Sequence, residues 1–224
     1  MLRNKYIAFV GAALITVILT IGIAVSAFAF PCSLNIIPCT DQLGANNLRL
    51  SYESDGSKNP YDQPNSQYIY TQFGINNRTE IGVDFYNIDG SNDKYYNVKY
   101  SLLGETAKTP AVDVGVMNIS NFTRPSYYAV SSKQLTAMRI HFGAQAQGGD
   151  SWALFGADKK IGKTLTLIAD YQSGIGRYHS IGLYWQTNSS MGVSLYYARN
   201  NTAELRDSTD YVGLSFGYVL PMAR

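Results

Sequence analysis

Histidine is the side chain best suited to acid–base chemistry near neutral pH, and this chain has two, His141 and His179. A hydrolase of the serine–histidine–acid type needs a hydroxyl and an orienting acid within hydrogen-bond reach of the imidazole. Ser180 follows His179 directly, but neither histidine lies in a local motif that fixes a nucleophile and an orienting group. We therefore predict no catalytic residues and no enzymatic activity, with a lipid-modifying enzyme as a minor alternative.

Two cysteines, Cys32 and Cys39, are the other candidates for chemistry. They are close enough in sequence to close a small disulfide loop in an oxidising compartment, or they remain two thiols. Two thiols alone do not fill the tetrahedral shell of a structural metal. The sequence thus predicts a disulfide candidate, no metal site and no cofactor.

The first 29 residues predict a cleaved export signal. Arg3 and Lys5 give a positive start, residues 6–26 are almost wholly apolar, and Ala27-Phe28-Ala29 has the small-x-small form that signal peptidase accepts. We expect cleavage after Ala29. A retained anchor is the alternative, because the apolar stretch is long enough to span a bilayer.

The mature chain of about 195 residues is one domain in size. Without Arg3 and Lys5, 16 basic side chains face 16 acidic ones, so its formal charge is zero. This balance argues against a nucleic-acid partner and against a polybasic membrane-surface role.

Beyond residue 45 the sequence consists of short segments with period-2 alternation, separated by clusters of Gly, Asn, Ser, Asp and Pro. This pattern is typical of consecutive antiparallel strands, and no segment predicts a helix. We count twelve strands between residues 47 and 219. The eighth, near 151–159, is the least regular because its apolar residues do not fall on one face, and ten strands remain an alternative.

One face of these strands is apolar and the other mixes charged, hydroxyl, amide and glycine residues. A soluble β-sandwich also alternates, so alternation alone does not separate it from a barrel. Strands of about ten residues match a tilted transmembrane strand and exceed the ~5–6 residues usual in globular sheets. Aromatic residues also gather near strand ends, as in an interfacial girdle: Tyr52, Tyr100, Tyr128, Tyr171, Trp185, Tyr197 and Tyr218. We therefore predict an all-β, antiparallel, up-and-down transmembrane barrel.

The last strand carries the pattern Tyr211-x-Gly213-x-x-Phe216-x-Tyr218. It resembles the signal by which the outer-membrane assembly machinery recognises the final strand of a barrel. Residues 219–224 follow it, where many members of the class end at a terminal Phe. Together with the export signal and the alternating strands, this pattern resembles the broad class of porin-like bacterial outer-membrane β-barrels. The resemblance implies outer-membrane localisation, contact with membrane lipid and recognition by the assembly machinery.

If the polar face lines the lumen of such a barrel, acids and bases nearly balance there. Ion pairs would then form an internal polar core, or opposing charged walls would orient a polar solute in a pore. The candidate lumen-lining residues are Arg49, Glu53, Glu80, Asp84, Lys99, Asp113, Lys133, Arg139, His141, Asp158 and Asp170. Glycines recur on the same face, where small residues let a sheet curl.

The sequence therefore divides into a signal peptide (1–29), an N-terminal periplasmic or plug segment (30–45), a β-barrel (46–220) and a short tail (221–224). We expect a small porin-like channel for passive passage of small polar solutes. The alternatives are a non-conducting barrel associated with an envelope or polysaccharide-export system, a lipid-modifying enzyme, and a secreted β-sandwich. The lumen of twelve strands is either a narrow passage or is closed by tyrosines or by residues 30–45.

Overall fold

The computed structural model describes residues 33–57, 66–86 and 93–222. The predicted signal peptide, its cleavage after Ala29 and Cys32 lie outside the described residues. Twelve antiparallel strands follow one another along the chain: β1 (Asn47–Ser57), β2 (Ser66–Gly74), β3 (Thr79–Tyr86), β4 (Asp93–Leu103), β5 (Ala111–Ile119), β6 (Ser126–Gln134), β7 (Arg139–Gln147), β8 (Asp150–Lys160), β9 (Leu165–Gln172), β10 (Tyr178–Gln186), β11 (Met191–Asn200) and β12 (Tyr211–Pro221).

Each strand pairs with its sequence neighbours, and β1 pairs with β12 to close the sheet into a barrel. The closing register runs from Asn47 opposite Pro221 to Ser57 opposite Tyr211. The predicted twelve-stranded up-and-down barrel is confirmed, and the ten-strand and β-sandwich alternatives are wrong. Closure pairs every strand on both sides, which removes the exposed edges of an open sheet.

The two ends of the barrel differ in their connections. We call the end at which β1 begins and β12 finishes the terminal end; the turns after β2, β4, β6, β8 and β10 lie there. The opposite end, the loop end, carries the connections after the odd-numbered strands. One of these contains a short helical turn, Ala203–Leu205 followed by Arg206–Thr209, which the sequence analysis did not predict. No helix in the described ranges is both long and apolar enough to cross a membrane.

Alternation along the strands sorts side chains to the two faces. In β3, Glu80 is 2% exposed and points inward, whereas its neighbour Ile81 is 43% exposed on the outside. The outer face carries exposed large apolar side chains from most strands, as expected of a surface that meets lipid. Examples are Leu50, Val98, Leu102, Phe142, Leu183, Leu195 and Leu214.

Strand β8 departs from this rule because it is apolar on both faces. Phe155 is exposed on the outside, but Trp152 and Leu154 are buried inside the barrel. They belong to a core cluster with Val130 and Ile168 from neighbouring strands. The irregular pattern of the eighth strand thus reflects a lumen that is apolar on one side.

Candidate functional site

The predicted lumen-lining residues lie on the inner wall. Eight are buried there: Arg49, Glu80, Asp84, Lys99, Asp113, His141, Asp158 and Asp170. Glu53 and Arg139 are partly buried. Lys133 differs from the expectation, because its ammonium donates to the carbonyls of Thr106 (2.6 Å) and Ala107 (3.1 Å) and so caps the turn after β4 at the rim.

The lumen is occupied by residues 33–45, which we call the plug segment. A hairpin, bridged between Ser33 and Pro38, forms its tip, and the chain then runs to the terminal end and into β1. Gly44 has a φ of +80°, a left-handed conformation that suits glycine at the bend before β1. The sequence had offered closure by residues 30–45 as one of two alternatives. The described part of that segment occupies part of the lumen.

The tip of the plug segment packs against the apolar side of the lumen. Leu34 and Ile37 are 4% and 1% exposed and join the core cluster formed by β6, β8, β9 and β10. They lie directly over Gly156, where a Cβ atom would collide with both side chains. Burying each such side chain contributes about 1.5–3 kcal/mol. The apolar residues on the inner wall therefore form the surface against which the tip packs.

Polar side chains of the wall form hydrogen bonds with the backbone of the tip. The Ile36 amide donates to Asp170 Oδ2 at 2.9 Å, and Gln172 Nε2 donates to the Ile36 carbonyl at 2.8 Å. Asn35 Nδ2 donates to Ser180 Oγ at 2.8 Å, and this hydroxyl donates to Asp170. A buried turn needs such partners, because unpaired backbone groups are costly away from water. Asp170 is thus placed as an anchor for the tip.

The stem of the plug segment meets a charged ring at the terminal end. The Arg139 guanidinium pairs with the Asp41 carboxylate, and Lys99 Nζ donates to the Asp41 carbonyl. Gln42 Nε2 donates to Asp113 Oδ2 at 2.5 Å, and the Leu43 amide donates to Glu80 Oε1 at 2.5 Å. Four strands therefore hold the stem by polar contacts.

The ring is also internally paired. Lys99 Nζ lies 3.2 Å from Glu80 Oε2 and 3.9 Å from Asp113 Oδ2. Arg139 lies 3.5 Å from Glu105. The charge balance predicted for the whole lumen is thus achieved locally, at the terminal end.

Tyrosine rings lie over glycines on the inner wall. The ring of Tyr128 covers Gly115, and that of Tyr196 covers Gly213; each glycine is the direct cross-strand partner of its tyrosine. A Cβ atom at either glycine would lie inside the van der Waals envelope of the ring. Tyr128 is therefore not part of the outer aromatic girdle, contrary to the sequence expectation. These glycines make room for large inward side chains.

A cavity of about 420 Å³ remains beside the plug segment, and its lining extends from Arg49 and Lys99 to Asp55 and Tyr211 at the loop end. Its lining includes seven tyrosines, the carboxylates of Glu53, Asp55, Glu80 and Asp84, and the cationic side chains of Arg49 and Lys99. Asp55 was not singled out from the sequence, and Tyr68, Tyr70 and Tyr196 were offered, with Tyr184, only as side chains that could close the lumen. The strands that carry them meet only in the closed barrel.

A buried, hydrogen-bonded chain of three side chains joins β6, β7 and β8. His141 Nε2 lies 2.7 Å from Asp158 Oδ2, and His141 Nδ1 lies 2.7 Å from Ser132 Oγ. An ionised carboxylate only accepts, so Nε2 carries the hydrogen and Nδ1 accepts from the serine. Sequence reasoning missed Ser132, although a hairpin register with its turn at 135–138 places Ser132 opposite His141. His179 lies apart, 2.9 Å from Asn201 Oδ1.

The predicted disulfide and the predicted assembly signal are not tested by the structure. Cys39 is 1% exposed at the base of the tip hairpin, and its bond to Cys32 stays a prediction. Tyr211, Gly213, Phe216 and Tyr218 all lie in β12, and their recognition by an assembly machinery also stays a prediction. Among the described residues, no group of three His, Cys, Asp or Glu side chains could hold a metal ion.

A closed twelve-stranded barrel with an apolar exterior and a polar, plugged lumen has the fold of the bacterial outer-membrane β-barrels. The KdgM porin is similar with a TM-score of 0.54 and 9% identity, over 76% of this chain and 98% of that chain. Omp33 of Acinetobacter baumannii has a TM-score of 0.51 and 11% identity, over 78% and 98%. An outer membrane channel from Pseudomonas putida F1 has a TM-score of 0.52 and 9% identity, over 79% and 96%. No model of a protein family matches the chain, and neither does any curated protein.

Proposed function

We propose that this protein is a porin-like channel of the outer membrane that admits small polar solutes and is closed at rest by its own plug segment. The proposal combines the barrel fold with a lumen whose residual space is polar. The solved structures of similar fold include a porin and an outer membrane channel, which supports the proposal by analogy of fold alone.

The number of strands supports a lumen that could conduct. Barrels of about eight strands are filled by their own side chains, whereas sixteen or more leave an open channel. A twelve-stranded barrel lies between these sizes. Here the extra space is taken by residues 33–45 and by the cavity of about 420 Å³.

The observation that carries the proposal is that a separate chain segment lies in the lumen and is bound to its wall. A segment can move as a unit, whereas wall side chains cannot leave. Its stem is held by polar contacts such as those of Gln42 and Leu43, which water can replace. A hydrogen bond to a charged group, such as these, contributes about 1.5–3 kcal/mol net. The buried tip explains why the closed state dominates.

Single-channel recording of the refolded protein in a planar bilayer tests this function. We expect long closed periods interrupted by discrete openings, and liposomes that contain the protein should swell in small neutral solutes. The control is protein unfolded by heat before reconstitution, with folding followed by heat-modifiable migration on a gel. Silence from folded protein, at every voltage and also after the stem contacts are weakened, would favour the non-conducting barrel of an envelope or export system.

The hydrogen-bonded chain of Ser132, His141 and Asp158 raises the enzyme alternative, since it has the residue types of a hydrolase. Ser132 is fully buried, and none of the three lines the described cavity, so no substrate carbonyl can approach the hydroxyl. Removing His141 would leave a buried carboxylate without its partner, which costs about 3–5 kcal/mol.

We therefore expect His141→Leu to lower the unfolding midpoint in urea clearly, and Ser132→Ala to lower it less. Neither the wild type nor the variants should hydrolyse a short-chain nitrophenyl ester or a phospholipid. Hydrolysis by the wild type that Ser132→Ala abolishes, with the barrel still folded, would instead establish an enzyme.

A further inference from the structure

The cavity beside the plug segment has the size and wall composition of a binding site. Its volume of about 420 Å³ falls within the roughly 300–1,000 Å³ typical of small-molecule pockets. We call it the tyrosine cavity, after six of the seven tyrosines that line it: Tyr68, Tyr70, Tyr86, Tyr178, Tyr196 and Tyr211. The seventh, Tyr128, belongs to the core cluster.

The tyrosines form two groups on either side of strand β1. On one side, the ring of Tyr68 is stacked with Tyr70 at 5.9 Å between centroids and meets Tyr86 edge-on at 4.9 Å. On the other side, Tyr211 meets Tyr178 at 5.5 Å and Tyr196 at 6.0 Å, again edge-on. Rings that support one another in this way are held in place before a ligand arrives.

Strand β1 supplies two carboxylates between these groups. Tyr70 Oη donates to Glu53 Oε1 at 3.2 Å, and Tyr196 Oη donates to Asp55 Oδ1 at 3.4 Å. Each tyrosine group is therefore tied to one carboxylate. Both acids are half-buried, so solvent and small molecules reach them.

Asp84 in β3 adds a third carboxylate and is the most buried of the three, with 8% of its surface exposed. Its Oδ2 accepts from Asn97 Nδ2 at 2.6 Å, and within residues 33–57, 66–86 and 93–222 its Oδ1 accepts no hydrogen bond. Across the same ranges, no ion pair joins Glu53, Asp55 or Asp84 to a basic side chain. A buried carboxylate that faces a cavity without an ion-pair partner is costly unless a cation enters or the group takes up a proton.

We propose that the tyrosine cavity binds a small organic cation with an ammonium head group. The faces of tyrosine rings attract ammonium groups, and quaternary ammonium ligands are bound by aromatic cages. The three carboxylates supply the opposite charge that such a cage needs. Arg49 and Lys99 line the same cavity, but Lys99 is paired with Glu80. The carboxylates therefore outnumber the cations and disfavour an anion, and a neutral sugar would stack on the rings but leave the charges uncompensated.

Calorimetric titration of choline chloride into the refolded full-length mature protein tests the proposal. The protein is kept in a polyoxyethylene detergent, whose head group is neither a sugar nor an ammonium, and in KCl at constant ionic strength. We expect saturable binding of choline and no comparable heat from glucose. This measurement needs no conducting pore, so it can succeed or fail independently of the proposed channel function.

Four substitutions identify the site. Asp84→Asn removes the buried charge, and Tyr86→Leu removes a ring; each should weaken choline binding roughly tenfold or more. Tyr86→Phe keeps the ring and should bind choline as the wild type does. The control is Asp150→Asn, which removes an exposed carboxylate at the same end of the barrel but outside the cavity. Glu53→Gln replaces Asp84→Asn if the latter fails to show heat-modifiable migration.

Choline binding that follows this order of variants would establish the site. The proposal is overturned if choline gives no saturable heat, if glucose binds as tightly as choline, or if the folded Asp84→Asn or Glu53→Gln variant binds choline like the control. Equal binding by Tyr86→Leu and Tyr86→Phe would also overturn it, since the aromatic face would then contribute nothing.

Discussion

Replacing Asp41 with Arg is expected to turn a barrel that is closed most of the time into one that is open most of the time. The Asp41 carboxylate pairs with Arg139, and its backbone carbonyl accepts from Lys99. An arginine at position 41 would bring a third cation to this ring. The lost pair and the new repulsion act on the closed state alone, because the stem leaves the ring when the lumen opens.

The size of this effect follows from the burial of the ring. The lost pair joins the side chains of Arg139 and Asp41, which are 17% and 20% exposed. Breaking a fully buried pair typically costs about 3–5 kcal/mol, and partial exposure places this one at the lower end. A difference of about 3 kcal/mol between two states changes their ratio by roughly a hundredfold. The open probability in planar bilayers should therefore rise from rare events to the dominant state.

The matched control is Glu204→Arg, the same kind of charge reversal at an exposed residue of the connection between β11 and β12. It should leave the open probability unchanged. Asp41→Asn, which removes the charge without adding repulsion, should fall between the two. If folded Asp41→Arg protein stays as silent as the wild type, the plug segment is a permanent part of the core and not a gate.

Replacing Gly115 with Val is expected to destabilise the barrel strongly, because it overpacks the inner wall. The ring of Tyr128 occupies the space over Gly115, and Tyr128 is buried in the core cluster that also receives the plug tip. The two residues are direct partners on β5 and β6, so the sheet backbone cannot separate them without breaking the ladder. Overpacking of this kind costs about 1–3 kcal/mol or more.

Urea unfolding in detergent, read by heat-modifiable migration, measures the effect. Gly104→Val is the control, because a Cβ at Gly104 meets nothing within 4 Å. Shortening the ring should relieve the clash, so Gly115→Val combined with Tyr128→Ala should be less destabilised than the sum of the single variants. Additive losses would show that the ring and the glycine do not compete for the same space.

The candidate site shows which residues can be assigned to the inner face from the sequence alone. Alternation put Glu80, Lys99 and Asp113 on the inner face, and they are buried there. The same reasoning could not tell that Asp41 and Gln42 meet them, because the plug segment has no period of its own. Ser132 and Asp158 reach His141 from neighbouring strands, and only the register of β6 and β8 against β7 brings the three together.

The sequence by itself predicted twelve strands in up-and-down order and, outside β6 and β8, which face of each strand meets lipid. These features are local: alternation has a period of two residues, and an up-and-down barrel pairs each strand with its neighbours in sequence. The tertiary structure decided what lies inside. Trp152, Leu154 and Ile168 are apolar residues on a wall predicted to be polar, because the plug tip buries Leu34 and Ile37 against them. The tyrosine cavity likewise exists only after closure, when strands that are distant in sequence face one another across the lumen.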